Sequence, residues 1–161
     1  MDAALLSWVL VSEVYWMSNK LLERRLFDLG ISASQARMFA VIHSAKEPIK
    51  PSSVALLLFQ ETQSITGILH RVEAQGWVQR SPDPNDRRAV GLTLTTAGKK
   101  IGDQIEVISK ELYQELFSDA LSATERRQVE AGLRKIRAKG FQLPETDFKL
   151  RRAQQFPVWK D

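Results

Sequence analysis

The stretch SITGILHRVEAQGWVQRSPDPNDRRAVGLTLTTAGK, residues 64–99, decides the fold. Ile65, Ile68, Leu69 and Val72 recur at helical spacing and form one apolar stripe. The other face keeps Ser64, Thr66, Gly67, His70 and Arg71, all small or hydrogen-bonding, which suits a groove floor better than a protein core. Gly76 supplies the stop. Trp77 to Ser81 reads as a strand, and SPDPND then places two prolines, two Asp and an Asn in six residues, which is turn chemistry. The return run alternates, with Val90, Leu92 and Leu94 on one face and Gly91, Thr93 and Thr95 on the other, as in a half-buried strand. Arg87 and Arg88 sit at the base of the turn, where core packing cannot hold them. Surface hairpins also carry arginines for solubility, so these two gain meaning only beside the helix.

A helix followed by a basic hairpin is the layout of a winged helix, in which the helix enters a DNA groove and the hairpin reaches the neighbouring backbone. The block resembles the core of MarR-type transcriptional regulators, whose sequences commonly run T-V-T-R-L-V-D-R-L-E-x-x-G-W/L-V-x-R, then D-P-x-D-R-R, then L-T-x-x-G. The counterparts here are Ser64-Ile65-Thr66, Arg71-Val72-Glu73, Gly76-Trp77-Val78, Arg80, Asp83-Pro84, Asp86-Arg87-Arg88 and Leu94-Thr95 with Gly98. A looser match runs from about residue 5 to 139, and the tail beyond Gly140 carries no matching motif. Three departures stand out: His70 replaces the usual Asp before the helix Arg, Gly67 stands where Arg is common, and the turn before the helix reads Phe59-Gln60 where a glycine and an aliphatic residue are usual.

The expected fold is mainly α with a small β wing. The chain divides into an N-terminal dimerisation helix (1–30), a winged helix-turn-helix (31–99), C-terminal dimerisation helices (100–139) and a basic tail (140–161). Residues 3–28 carry Leu6, Val9, Leu10, Val14, Met17, Leu21, Leu22 and Leu26 on more than one face, which implies burial on two sides. Ser32-x-x-Gln35 opens the next helix as a capping box, burying Ala36, Phe39 and Ala40, and Pro51 starts a third that buries Val54, Ala55 and Leu58. Beyond the wing, Thr96 reads as an N-cap for a helix carrying Ile101, Ile105, Ile108, Leu112 and Leu116. Ser122-Ala-Thr-Glu125 opens a last helix with Val129, Leu133 and Ile136. These apolar stripes, left over beside a closed winged core, point to a second copy of the chain.

Composition narrows the chemistry. The net charge is +4, and from Arg134 onward eight Lys/Arg face three acids, so the chain leans toward an anionic partner. There is no cysteine, which removes disulfides, thiolate metal sites and a thiol switch, and fits a cytoplasmic location. The longest apolar run, Ala3 to Val11, falls far short of the ~20 residues of a membrane span. The two histidines, His43 and His70, lie on separate elements, and no G-x-S-x-G, G-x-G-x-x-G or Walker lysine motif is present. No catalytic residue, metal or cofactor is expected.

The expected DNA contacts are Gln63, Ser64, Thr66, Gly67, His70 and Arg71 in the major groove and Arg87 and Arg88 on phosphate or in the minor groove. Ser52 and Ser53, at a helix N-terminus, are expected to hold a phosphate. The resemblance further implies a homodimeric repressor on inverted-repeat duplex DNA, released by a small aromatic or anionic effector. Tyr15, Trp16, Asn19, Lys20, Met38, Phe39 and His43 are the residues placed to line its pocket. Two other readings compete: a winged-helix protein-interaction module, supported by the apolar run Leu56-Leu57-Phe59, and an enzyme on a helical scaffold, supported by no motif.

Overall fold

The computed structural model describes residues 2–45, 48–83 and 86–143, and the side chains within them except those of residues 83–89. Helix α1 (Ala3–Arg25) begins where the Asp2 carboxylate accepts from the Ala4 and Leu5 amides. It was expected to reach residue 28 but stops at Arg25. A single 3-10 turn, Phe27–Leu29, follows, and Gly30 closes it in the left-handed region at φ 64°. That left-handed turn ends the helical run, with Gly30 N–H on Phe27 O at 2.9 Å and Ile31 N–H on Leu26 O at 3.4 Å, and Leu26 is fully buried beneath it. Helix α2 (Ala33–Ser44) carries the expected capping box: Ser32 Oγ accepts from Gln35 N–H, and Gln35 Oε1 accepts from Ser32 N–H.

Helix α3 (Pro51–Leu57) and helix α4 (Thr62–Ala74) form the helix-turn-helix. Both end in the same hydrogen-bonded turn. After α3, Gln60 N–H reaches Ala55 O and Phe59 N–H reaches Leu56 O; after α4, Trp77 N–H reaches Val72 O and Gly76 N–H reaches Glu73 O. That turn needs a left-handed residue and usually finds glycine. Gly76 fills it at φ 70° after α4, but Phe59 fills it at φ 54° after α3, a conformation that costs a side-chain-bearing residue about 1–2 kcal/mol.

Strands β1 (Val78–Asp83) and β2 (Asp86–Leu94) pair antiparallel, from Val78 opposite Leu94 to Pro82 opposite Val90. Both run further toward the tip than the alternation suggested. Ile49 adds a third backbone segment, exchanging N–H···O bonds of 3.1 and 2.8 Å with Leu92. Helix α5 (Thr96–Tyr113) is capped by Thr95, one residue earlier than expected, because Thr95 Oγ1 accepts from Gly98 N–H. A π-helical turn, Gln114–Asp119, leads to α6 (Ala123–Gln142), whose Ser122/Glu125 capping box forms as read.

One core joins these elements. Leu22, Leu26, Met38, Phe39, Ile42, Val54, Ile65, Leu69, Val72, Leu92, Ile105 and Leu112 are all buried in it. Several expected core positions differ. Ala40 is exposed, and α3 buries Leu57 fully where Leu58 was expected, since Leu58 is only partly covered. Val90 is 44% exposed at the outer part of the wing. Leu112, expected on a stripe facing a second subunit, is 1% exposed within its own chain. The uncovered apolar surface lies elsewhere: Leu5, Leu6, Trp8, Leu10, Val11, Val14, Trp16 and Met17 on α1, and Val129, Leu133 and Ile136 on α6.

Candidate nucleic-acid interface

Helix α4 is held from below and bare above. Ile65, Leu69 and Val72 are buried, while Gln63, Ser64, Thr66, Gly67, His70 and Arg71 are all exposed on the outward side. Thr66 Oγ1 donates to Thr62 O at 3.0 Å, which leaves its lone pairs free to accept. Arg71 Nε donates to Gly67 O at 3.1 Å, so the arginine lies back along the helix on its exposed side. A β-carbon at Gly67 would meet nothing within 4 Å.

Glu73, the acid nearest Arg71 on this helix, is engaged elsewhere. Arg80 on β1 grips it with both prongs, Nε to Oε1 at 2.7 Å and Nη2 to Oε2 at 3.4 Å, tying the end of α4 to the wing. Arg71 is thereby left to the outer surface. Ser52 is exposed and Ser53 half-buried at the start of α3. Ser53 N–H already donates to Lys50 O at 2.9 Å and Pro51 has none, so of these only Ser52 N–H is left for a phosphate. Arg87 and Arg88 lie on β2, and their side chains fall outside the described residues, as does the tail beyond Leu143.

A cleft of about 490 Å³ opens between α2 and α5, with Leu22 of α1 at its edge. Of the residues expected to line a pocket, Phe39 and His43 do so. Met38 is fully buried in the core, and Tyr15 and Trp16 are 49% and 69% exposed on α1. Lys20 is exposed beside Glu23, 3.7 Å away. Asn19 acts on the cleft at one remove: its Oδ1 accepts from Arg37 Nη1, its Nδ2 donates to Tyr15 O, and Arg37 lines the cleft. Arg37, Glu106, Lys110 and Tyr113 are among the lining residues that the sequence reading did not place there. Arg37 offered a signal, a lone cation between Ala36 and Met38 in an otherwise apolar run. Burial pushes the Tyr113 phenol above its usual range, and the Arg37 charge opposes that rise. Among the described residues no group of three His, Asp or Glu could hold a metal ion.

The MarR family model matches residues 29–89, which include α2, the helix-turn-helix and the start of the wing. The multiple antibiotic resistance protein MarR of Escherichia coli K12 is 34% identical over 128 residues, covering 79% of this chain and 88% of that one. The chain belongs to the MarR family. The transcriptional repressor MprA of Escherichia coli K12 is 32% identical over 124 residues, covering 74% of this chain and 70% of its own. A cysteine-to-serine mutant of Escherichia coli MarR, solved in complex with operator DNA, superposes with a TM-score of 0.73 at 31% identity, covering 84% of this chain and 99% of that one. The mainly α MarR fold with its small two-stranded wing is thus the fold of this chain. No described helix is long and apolar enough to cross a membrane.

Proposed function

We propose that this MarR-family chain is a cytoplasmic transcriptional repressor that binds inverted-repeat duplex DNA as a homodimer. The observation that carries the reading is α4: three buried anchors fix it on the core, while six small, polar or basic residues face outward. Base edges in the major groove offer acceptors to Arg71 and His70, and Gly67 allows close backbone approach. Arg87 and Arg88 extend the contact to phosphate or the minor groove, and Ser52 adds a backbone N–H. The exposed apolar surfaces of α1 and α6 support a second copy, since separate hydrophobic helix faces of this extent are seldom left to water.

The cleft beside α5 is suited to a small aromatic or anionic effector. Arg37, Lys110 and His43 face it against one acid, Glu106, and Phe39 and Tyr113 offer ring surface. A compound seated there touches both α2, which supports the helix-turn-helix, and α5, which leads toward α6. Footprinting on the DNA flanking the gene tests the function. A two-fold symmetric footprint with half-sites about one helical turn apart is expected. An asymmetric footprint, or equal affinity for any duplex, would refute the reading.

A further inference from the structure

We infer that Phe59 is a positioning residue for the DNA-binding helix, acting through Phe141 at the far end of α6. The two helices of the helix-turn-helix close with the same turn, and glycine takes the left-handed position in one of them. In the other that position is Phe59, which among the described residues is the non-glycine residue with positive φ. Nothing in the turn itself calls for a ring there, since glycine would satisfy it at lower cost. The ring does have a use outside the turn. It stands against Phe141, with ring centroids 6.2 Å apart and planes at 35°, within the range of an attractive aromatic pair. Phe141 is 8% exposed, so the end of α6 is seated and not loose.

The place of this contact gives it a consequence. Phe59 lies in the short link between α3 and α4, which sets how α4 is presented. Helix α6 carries the uncovered Val129, Leu133 and Ile136 along its length and Phe141 at its end. Whatever fixes α6 therefore acts, through the Phe59–Phe141 ring pair, on the turn that aims α4. The inference rests on the DNA-binding reading of α4 and needs no effector.

The test uses full-length Phe59→Gly, Phe141→Ala, Phe141→Leu and the Phe59→Gly/Phe141→Ala double variant. Each is titrated on the footprinted duplex, and amide hydrogen exchange is followed at residues 59–66 without DNA. Each of Phe59→Gly and Phe141→Ala is expected to weaken binding about three- to tenfold, the range an aromatic pair spans. The double variant should lose no more than the worse single one, and Phe141→Leu should recover part of the loss. Phe141→Ala should also speed exchange at 59–66, although position 141 is distant in sequence. Wild-type affinity in Phe59→Gly, multiplying losses in the double variant, or unchanged exchange would each overturn the inference. A wild-type chain that binds no duplex, with exchange still accelerated in the variants, would instead overturn the DNA-binding reading and leave the ring coupling standing.

Discussion

Replacing Gly98 and Gly67 with alanine, one at a time, should move stability in opposite directions. Both lie inside helices, where alanine is favoured over glycine by about 1 kcal/mol. At Gly67 the new methyl meets open space, so that gain should appear in full. At Gly98 it would stand 1.8 Å from Trp77 O and 2.8 Å from Trp77 C. To reach even 3.0 Å, the start of α5 must retreat by 1.2 Å from the Trp77 backbone, just before β1. Thr95 sits in the same joint, with its N–H on Trp77 O at 3.0 Å and its hydroxyl on Gly76 O at 2.7 Å. Overpacking costs about 1–3 kcal/mol and a disturbed cap about 1, set against the ~1 gained from propensity. The net loss is about 1–3 kcal/mol, or roughly 2–12 °C in Tm at this chain length. Thermal melts at one fixed protein concentration measure it. Gly67→Ala should melt roughly 2–4 °C higher yet bind its preferred DNA more weakly, because the methyl occupies the groove-facing surface. A Gly98→Ala protein that melts at or above the wild type would refute the packing argument.

Arg71→Ala should cost about 1–3 kcal/mol on the preferred site and much less on random DNA, whereas Arg88→Ala should weaken both alike and flatten the salt slope by about one. Equal, salt-insensitive losses from the two would count against both assignments. Ile136→Glu, at a position 62% exposed, should reduce the sedimenting mass from twice 18.3 kDa toward the single chain without unfolding it. An unchanged dimer would move the interface elsewhere. Arg37→Ala should abolish release from DNA by aromatic carboxylates while leaving effector-free binding intact, and a retained response would exclude the cleft. Glu115 is held below its ordinary carboxyl value of 4.5 by the two-pronged hydrogen bond from Arg25, so that pair stabilises the fold above that pH and is lost as pH falls through the lowered value. The melting difference between wild type and Glu115→Gln should therefore shrink on acidification, and a difference that grows would reverse the sign.

Local chemistry made much of the fold legible. The stripe of Ile65, Leu69 and Val72 needs only helical spacing, and the capping boxes at Ser32 and Ser122 close within four residues, so both could be read without knowing any partner. What failed to read depends on contacts between distant segments. A periodic stripe shows that Leu112 and Ile136 are apolar, but not that the first is 1% exposed and the second 62% exposed among the described residues. The cleft joins Arg37 to Lys110 and Tyr113, residues of two helices far apart in sequence, so no window of sequence contains it. Phe59 shows the same limit at a single residue. Its left-handed backbone was not signalled by residue type, because the turn's demand is met against preference.

The bare apolar length of α1 makes the amount of protein part of the mechanism. Where two copies must meet before two α4 helices can face one duplex, the binding species grows as the square of chain concentration when the chain is scarce, and only linearly once pairing is complete. Dilution would then silence the protein twice, by removing it and by splitting it, and would return Trp8 and Trp16, 66% and 69% exposed on the single chain, to water. A cell that lowers the level of this chain a few-fold would release its target genes more sharply than the change in abundance alone implies.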